Sequence, residues 1–427
     1  MMMKKTCLKR AMLVVLGCSL WNLPLGSCAA LSLDEAVDMA LERNTEIRIA
    51  AKGEEKALAN LAAAKGANGF SVGMTTSLAI ADGATKDFSR TNTNNLAASL
   101  PLYTGGANEL AIENKALALS SSRLNTGRTR ENIKLATVKA YYDVLERQKE
   151  VDVNQESVDN YQAHLTNVQQ LYSAGSKARV EVLRSQVQLS DARQALIKAE
   201  NAYELAVSTL KNTIKLQRDE ELTLTEDFSY AAFEKPLASC LDYARLNRKD
   251  LQQAKLTVEE AEKSVRIAQA GFLPSVKLSA GLGWEDQPLP NDKHYNYTAG
   301  VSASWDVFDS DVTKSNVKAA KAAVEEAELT LSNEKDTVDL AVRQAYLNMK
   351  EAEKRFVSTQ DAVKQAEEDY YIANQKYKAG EGLMLDIIDA QLALSTARLN
   401  YISAQYDYAR YKATVENVMG LSDEVNG

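Results

Sequence analysis

Two very long helical patterns constrain this chain more than anything else in it. Residues 106–172 and 310–377 each hold helical patterning over roughly 65 positions, which at 1.5 Å per residue makes a rod of about 100 Å. No globular core accommodates such a rod. In the distal half of each, bulky residues recur every seven positions: Val144, Val151, Val158, Leu165 and Tyr172, then Met349, Phe356, Val363, Tyr370 and Tyr377. The segments that follow keep the interval, with Val182, Leu189, Leu196, Tyr203 and Leu210, and with Ile387, Leu394, Tyr401, Tyr408 and Val415. A strict spacing of seven drives left-handed coiled-coil packing. Ala345, Ala352, Thr359, Ala366 and Ala373 are small enough for close helix approach. Gly175 and Gly380 stand where each rod must reverse, because glycine accepts the positive φ of a helix end. The pattern predicts two antiparallel helical hairpins with tips near 175 and 380.

The two hairpins belong to an internal repeat. At an offset of 205, Tyr172, Ala174 and Gly175 recur as Tyr377, Ala379 and Gly380, and Gln186, Leu189, Ala192 and Arg193 recur as Gln391, Leu394, Ala397 and Arg398. The first copy is expected over 31–216 and the second over 237–420, with 217–236 as a linker and 421–427 as a short tail. Each copy reads helix, strand pair, long helix, sharp turn, helix. In the first, 32–65 reads as helix, opened by the capping-box pair Ser32 and Glu35. Alternation then predicts strands over 69–80 and 94–103; in the second copy it predicts strands over 275–284 and 295–308. Four strands cannot close a barrel, for which about eight are the practical minimum. Their edges must be covered by other copies. A soluble antiparallel coiled coil would explain the heptads equally well, so the strands decide between the two readings.

The first thirty residues have the form of an export signal. Lys4, Lys5, Lys9 and Arg10 precede an apolar stretch, and small residues follow it. Cleavage after Ala30 competes with cleavage before Cys28, where Leu25, Gly26, Ser27 and Cys28 resemble a lipoprotein box that would lipidate Cys28. Downstream, no apolar run is long enough for a transmembrane helix. The formal charge of −8 argues against nucleic acid as the partner, since phosphate binding needs clustered Lys and Arg. The chain has two histidines, His164 in a rod and His294 in a loop, too far apart to share a metal. No phosphate-binding loop or nucleophile triad is visible, so neither an enzyme nor a cofactor is expected.

Several stretches resemble the TolC family of outer-membrane efflux proteins. They are Leu33-Asp34-Glu35-Ala36 followed by Ala40-Leu41-Glu42-Arg43-Asn44, Leu100 through Gly106, Ala270-Gly271-Phe272-Leu273-Pro274-Ser275, Tyr377 through Gly380, and Asp386 through Gln391. No single one is specific, but they occur in the family's order over nearly the whole mature chain. The resemblance implies a homotrimer in which four strands per protomer build a twelve-stranded barrel in outer-membrane lipid, above a helical tunnel in the periplasm. It implies a passive exit duct for efflux or type I secretion, energised by an inner-membrane transporter through a periplasmic adaptor protein.

The resemblance also assigns residues. Asp386 and Asp389, three apart and on one helix face, would line the entrance as a cation-sensitive ring; the plain alternative is two acids complementing a helix N-terminus. Tyr377 would help to lock the closed entrance, although its heptad spacing already explains it as packing. The family's lock includes an Arg two residues beyond the turn glycine, where this chain has Gly382. Glu181, Arg179 and Arg184 are the candidates to complete it. Tyr172, Gly175, Ser176, Lys177, Gly380 and Glu381 mark the tips, where the adaptor would dock. Trp284, Tyr295, Tyr297 and Trp305 would sit at headgroup level, with Phe70 and Tyr103 as weaker counterparts. The expected function is an outer-membrane export channel; the alternative is a periplasmic coiled-coil scaffold, lipid-anchored through Cys28, without channel activity.

Overall fold

The computed structural model describes residues 30–83, 86–217, 219–220, 222–285 and 295–421. The expected leader with Cys28, the loop that carries His294 and the tail 422–427 lie outside the described residues. In chain order the elements are β1 (Ala30–Leu31), α1 (Leu33–Arg43), α2 (Thr45–Ala67), β2 (Ser71–Gly83), β3 (Lys86–Tyr103), α3 (Ala107–Ser173) and α4 (Arg179–Ile214). There follow β4 (Thr223–Leu224), α5 (Leu237–Asn247), α6 (Lys249–Gln269), β5 (Ser275–Glu285), β6 (Tyr295–Ser304), α7 (Val312–Lys378) and α8 (Met384–Met419). None of the described helices is long and apolar enough to cross a membrane.

The rods α3 and α7 have 67 residues each. Each is flanked by two shorter helices, α3 by α2 and α4, and α7 by α6 and α8. The helix expected over 32–65 begins with the Ser32 and Glu35 capping box but breaks at Asn44. Asn44 Oδ1 accepts the Glu46 amide at 2.8 Å, and its Nδ2 donates to the Thr213 carbonyl of α4 at 3.3 Å. An amide side chain that competes for backbone groups caps a helix more readily than it continues one. In the second copy Arg248 holds the same extended break between α5 and α6.

The repeat is visible in the packing. One core gathers Ile133, Ala140, Val144, Leu210 and Ile214. The other gathers Val338, Ala345, Met349, Val415 and Met419, which are the same positions at an offset of 205. The two hairpins meet along a seam between α3 and α8. Near the cores it is ionic: Arg410 pairs with Glu146, a carboxylate only 3% exposed, and with Asp407 at 2.7 Å. Farther out, Arg398 bridges Glu156 at 2.6 Å and Glu367 of α7 at 2.8 Å. Beyond that the links are neutral, Ser157 to Ser395 at 2.8 Å and Asn160 to Gln391 at 3.2 Å.

The strands form one antiparallel sheet in the order β2-β3-β5-β6. The fourth strand ends at Ser304 rather than at 308, and Trp305 leaves the ladder to donate its Nε1 hydrogen to the Phe272 carbonyl at 3.0 Å. The register aligns Met74 with Leu96, Leu96 with Leu282, and Leu282 with Tyr297 on one face. The opposite face aligns Thr75 with Asn95, Asn95 with Gly283, and Gly283 with Asn296. The apolar face is open: Val72, Met74, Leu78, Ile80, Leu278, Tyr297 and Val301 are all exposed. Among the described residues the outer edges of β2 and β6 have no strand partner.

The buried Glu146 and Arg410 pair yields a test of the seam. Arg410→Ala leaves an uncompensated carboxylate and is expected to cost about 3–5 kcal/mol, whereas Glu146→Leu combined with Arg410→Met recovers most of that loss. Denaturant unfolding of the helical signal for the single and double variants measures both.

Candidate functional site

The two hairpin tips contain most of the residues that the sequence singled out. Both rods reverse through the same turn, with φ of 77° at Gly175 and 80° at Gly380. The Ser176 amide reaches back to the Leu171 carbonyl at 2.9 Å, and the Glu381 amide to that of Lys376 at 3.0 Å, closing the last helical turn. The second tip then winds tighter. Gly382 N also donates to the Lys376 carbonyl at 3.0 Å, and a Cβ at this position would fall 2.8 Å from Tyr377 N and 3.1 Å from Lys376 C. Those are backbone atoms, which cannot step aside. Only glycine fits, so no arginine can stand here.

The first copy has Lys177 at the position equivalent to Gly382. Its Nζ lies 3.4 Å from Glu181 Oε2 and 4.8 Å from the centre of the Tyr377 ring. Tyr377 is 4% exposed, packed with Val168, Ala373, Met384 and Ile387, and its hydroxyl stands 3.5 Å from Glu181 Oε2, the outer limit of a hydrogen bond. Burial first, and the Glu181 carboxylate second, push the Tyr377 phenol up to about 12. The structure thus brings Tyr377, Glu181 and Lys177 together across the two hairpins. It leaves Arg179 and Arg184 out: both are exposed on the first turns of α4, and neither reaches a carboxylate among the described residues. The cation at this contact is Lys177, which the sequence marked only as a tip residue. Its alignment with Gly382 was the available signal.

Asp386 and Asp389 are exposed, while Ile387, Ile388 and Ala390 between and beside them are buried. Asp386 Oδ2 also accepts the Leu383 amide at 3.2 Å, so the capping reading holds for it whatever else it does. The tip residues Gly175, Ser176, Gly380 and Glu381 are exposed. Tyr172, equivalent to Tyr377 in the repeat, is 45% exposed and stays outside the contact.

At the other end of the molecule, aromatic residues fall at both borders of the sheet. Trp284 is opposite Tyr295 at the loop end, with Tyr297 one position farther in along the same face. Trp284 itself is buried at 6% exposure, opposite Asn94, so it does not share the openness of its neighbours Tyr295 and Tyr297. Trp305 is exposed at the helix end, together with Phe70, Tyr103 and Phe272.

Rods folded into paired hairpins, joined to a four-stranded sheet whose outer edges have no strand partner among the described residues, define the class: a helical-hairpin protein with a small antiparallel sheet at one end. The chain matches the family model described as outer membrane efflux protein over residues 36–214 and 240–421, and it belongs to that family. It is 22% identical to the outer membrane protein TolC of Escherichia coli over 328 residues, which are 74% of this chain and 66% of that protein, just under two thirds of its length. It is 24% identical over 406 residues to the toxin and drug export protein A of Aggregatibacter actinomycetemcomitans, covering 91% of this chain and 86% of that one. Its fold matches the crystal structure of the CmeC outer membrane channel of Campylobacter jejuni with a TM-score of 0.82 and 19% identity, over 91% of this chain and 85% of that chain.

The tight turn at Gly382 gives a local test. Gly382→Ala is expected to cost about 1–3 kcal/mol of local stability by overpacking against the backbone. Limited proteolysis should cut faster near 380–383, while the melting of the distant cores stays within about 0.5 kcal/mol.

Proposed function

We propose that this protein is the outer-membrane duct of a tripartite efflux or type I secretion assembly, through which substrates diffuse passively. The single observation that carries the reading is the sheet. One face carries exposed Val72, Met74, Leu78, Ile80, Leu278, Tyr297 and Val301, interrupted by Thr76, Asn92 and Asn94; the other is mostly small and polar; and among the described residues the two outer edges have no strand partner. A lipid-exposed strand edge leaves backbone groups unsatisfied, so a sheet of this kind spans a membrane only when closed. β5 and β6 have 11 and 10 residues, against the roughly 9–11 that a tilted membrane strand needs. Three copies make a barrel of twelve strands, edge to edge. A periplasmic scaffold gives no reason for the outward apolar face, and the duct reading is favoured over it for that reason.

In this reading the helical rods line a tunnel whose far end closes at the tips. Tyr377 and Glu181, with Lys177 beside them, hold one hairpin against the other. Asp386 and Asp389, repeated in three copies, ring the aperture with six carboxylates and favour bound cations. The exposed tip residues, Tyr172, Gly175 and Ser176 on one side and Gly380 and Glu381 on the other, with half-buried Lys177 beside them, dock a periplasmic adaptor that couples the duct to an inner-membrane transporter. Tyr295, Tyr297 and Trp305 sit at the two headgroup levels, with buried Trp284 opposite Tyr295 in the ladder.

The experiment is reconstitution of the full chain in a planar bilayer. Discrete conductance steps and heat-modifiable trimers from outer-membrane extracts are expected; a soluble, non-conducting protein would remove the duct. Asp386→Ala combined with Asp389→Ala is expected to weaken block by divalent or trivalent cations by about tenfold or more, corresponding to at least about 1.4 kcal/mol of lost binding. Unchanged block would take the carboxylate ring out of the mechanism.

A further inference from the structure

His164 lies on α3 just inside the tip, and the closure described so far makes no use of it. Its Nε2 is buried and meets no hydrogen-bond partner among the described residues. A cavity of about 320 Å³ opens beside it, lined by the amides of Asn160, Asn167, Asn374 and Gln391 and by Tyr161 and Tyr370. The imidazole packs against the Tyr377 ring, centroid to centroid 5.3 Å. An unpaired buried nitrogen is tolerable as a neutral lone pair and costly as a cation. Burial, foremost, holds the imidazole below its ordinary pKa; the Glu181 carboxylate opposes that shift and the Lys177 ammonium reinforces it.

The charged groups that face this imidazole come from each element packed around it. The loop before α4 supplies Lys177 and α4 supplies Glu181, while α7 supplies Lys378 on the wall of the same cavity. Tyr161, Tyr370 and Tyr377 are phenols whose pKa values burial raises, so they stay neutral. Asp389 of α8 and Glu156 of α3 act on Tyr161 and Tyr370 respectively. Of these groups Glu181 and Lys177 act on the imidazole directly, and the Glu181 carboxylate is already shared by Lys177 and Tyr377. An imidazolium would be a second cation beside that one carboxylate.

We propose that His164 is an acid-sensitive element of the tip: the neutral imidazole supports Tyr377 against Glu181, and its protonation drives the two hairpins apart. The inference deepens the proposed function and rests on its reading of the tips as a gate. The sign follows from proton linkage. With the tips together His164 resists protonation; with the tips parted it is hydrated and titrates near the ordinary value of about 6.5. The closed contact binds fewer protons, so it is fully favoured above neutral pH and weakens as the pH falls through about 6.5. Between pH 7.5 and 5.5 the ratio of parted to joined tips rises by at most about tenfold for each His164.

The test reads tip separation and current independently. Spin labels on Ser176→Cys and Glu381→Cys in the full chain, held in lipid nanodiscs, report the distance between the tips of one protomer and its neighbours by pulsed dipolar spectroscopy. A longer-distance population is expected to grow several-fold from pH 7.5 to 5.5. His164→Leu and His164→Gln are expected to hold the short distance at both pH values. Glu181→Gln keeps the pH response, because the response originates in the imidazole and not in the carboxylate. An unchanged distance distribution in the labelled protein with His164 intact, an acid shift that survives both His164 variants, or tips that draw closer in acid would overturn the proposal. Absence of current in bilayers would end the duct reading by itself, and the distance measurement would still decide the part played by His164.

Discussion

Among the described residues a row of backbone amides and carbonyls along the outer edges of β2 and β6 has no strand partner, and that is the constraint from which the rest of the architecture follows. In hydrocarbon each such group costs several kcal/mol, and no side chain on an edge strand compensates a whole ladder. Pairing has to come from outside the protomer. That requirement fixes more than the sheet, because β3 and β6 each lead, within a few residues, into the rods α3 and α7. When the edges are satisfied in a ring, the rods are carried into the same ring. The heptad residues then work between helices that are already oriented, as Met349, Leu394 and Tyr408 show by their full burial within one chain.

The seam between the hairpins changes chemistry along its length. Next to the cores the link is a buried ion pair, Glu146 with Arg410; midway it is the bridge from Arg398 to Glu156 and Glu367; farther on, only hydroxyls and amides meet. At the tip Tyr377 meets the Glu181 carboxylate at 3.5 Å with the Lys177 ammonium over its ring, and Val168 joins Tyr377, Met384 and Ile387 in a buried apolar cluster across the two hairpins.

Much of this was legible in the chain because its two copies report on each other. The heptads gave the rods, and the alternation gave the strands. Tip glycines at 175 and 380 gave the reversals. The break at Asn44 was not legible, since its cause is a hydrogen bond to Thr213, 169 positions away. Nor was the end of β6: alternation continues through Trp305 and Val307, but the Trp305 indole turns to the Phe272 carbonyl. Ser310 and Asp311 hold positive φ where the first copy has Gly105 and Gly106, so the turn outlasted the residue type that would have announced it. At the tip, spacing identified Tyr377 and Glu181 as candidates, but it could not tell Lys177 from Arg179 and Arg184. Which cation turns inward depends on the path of the chain between α3 and α4.

That choice exposes a division of labour between the copies. Position for position, the first tip carries Lys177 where the second carries Gly382, and the first exposes Tyr172 where the second buries Tyr377. Two identical tips would bring like groups together, with cation facing cation. By diverging, one tip contributes the cation and the carboxylate of Glu181, and the other contributes the aromatic face that meets them. The partners on the first tip neutralise each other whether or not the second is present, so parting the hairpins leaves no unpaired charge behind. The contact is cheap to break because its ionic half lies entirely on one side of the gap.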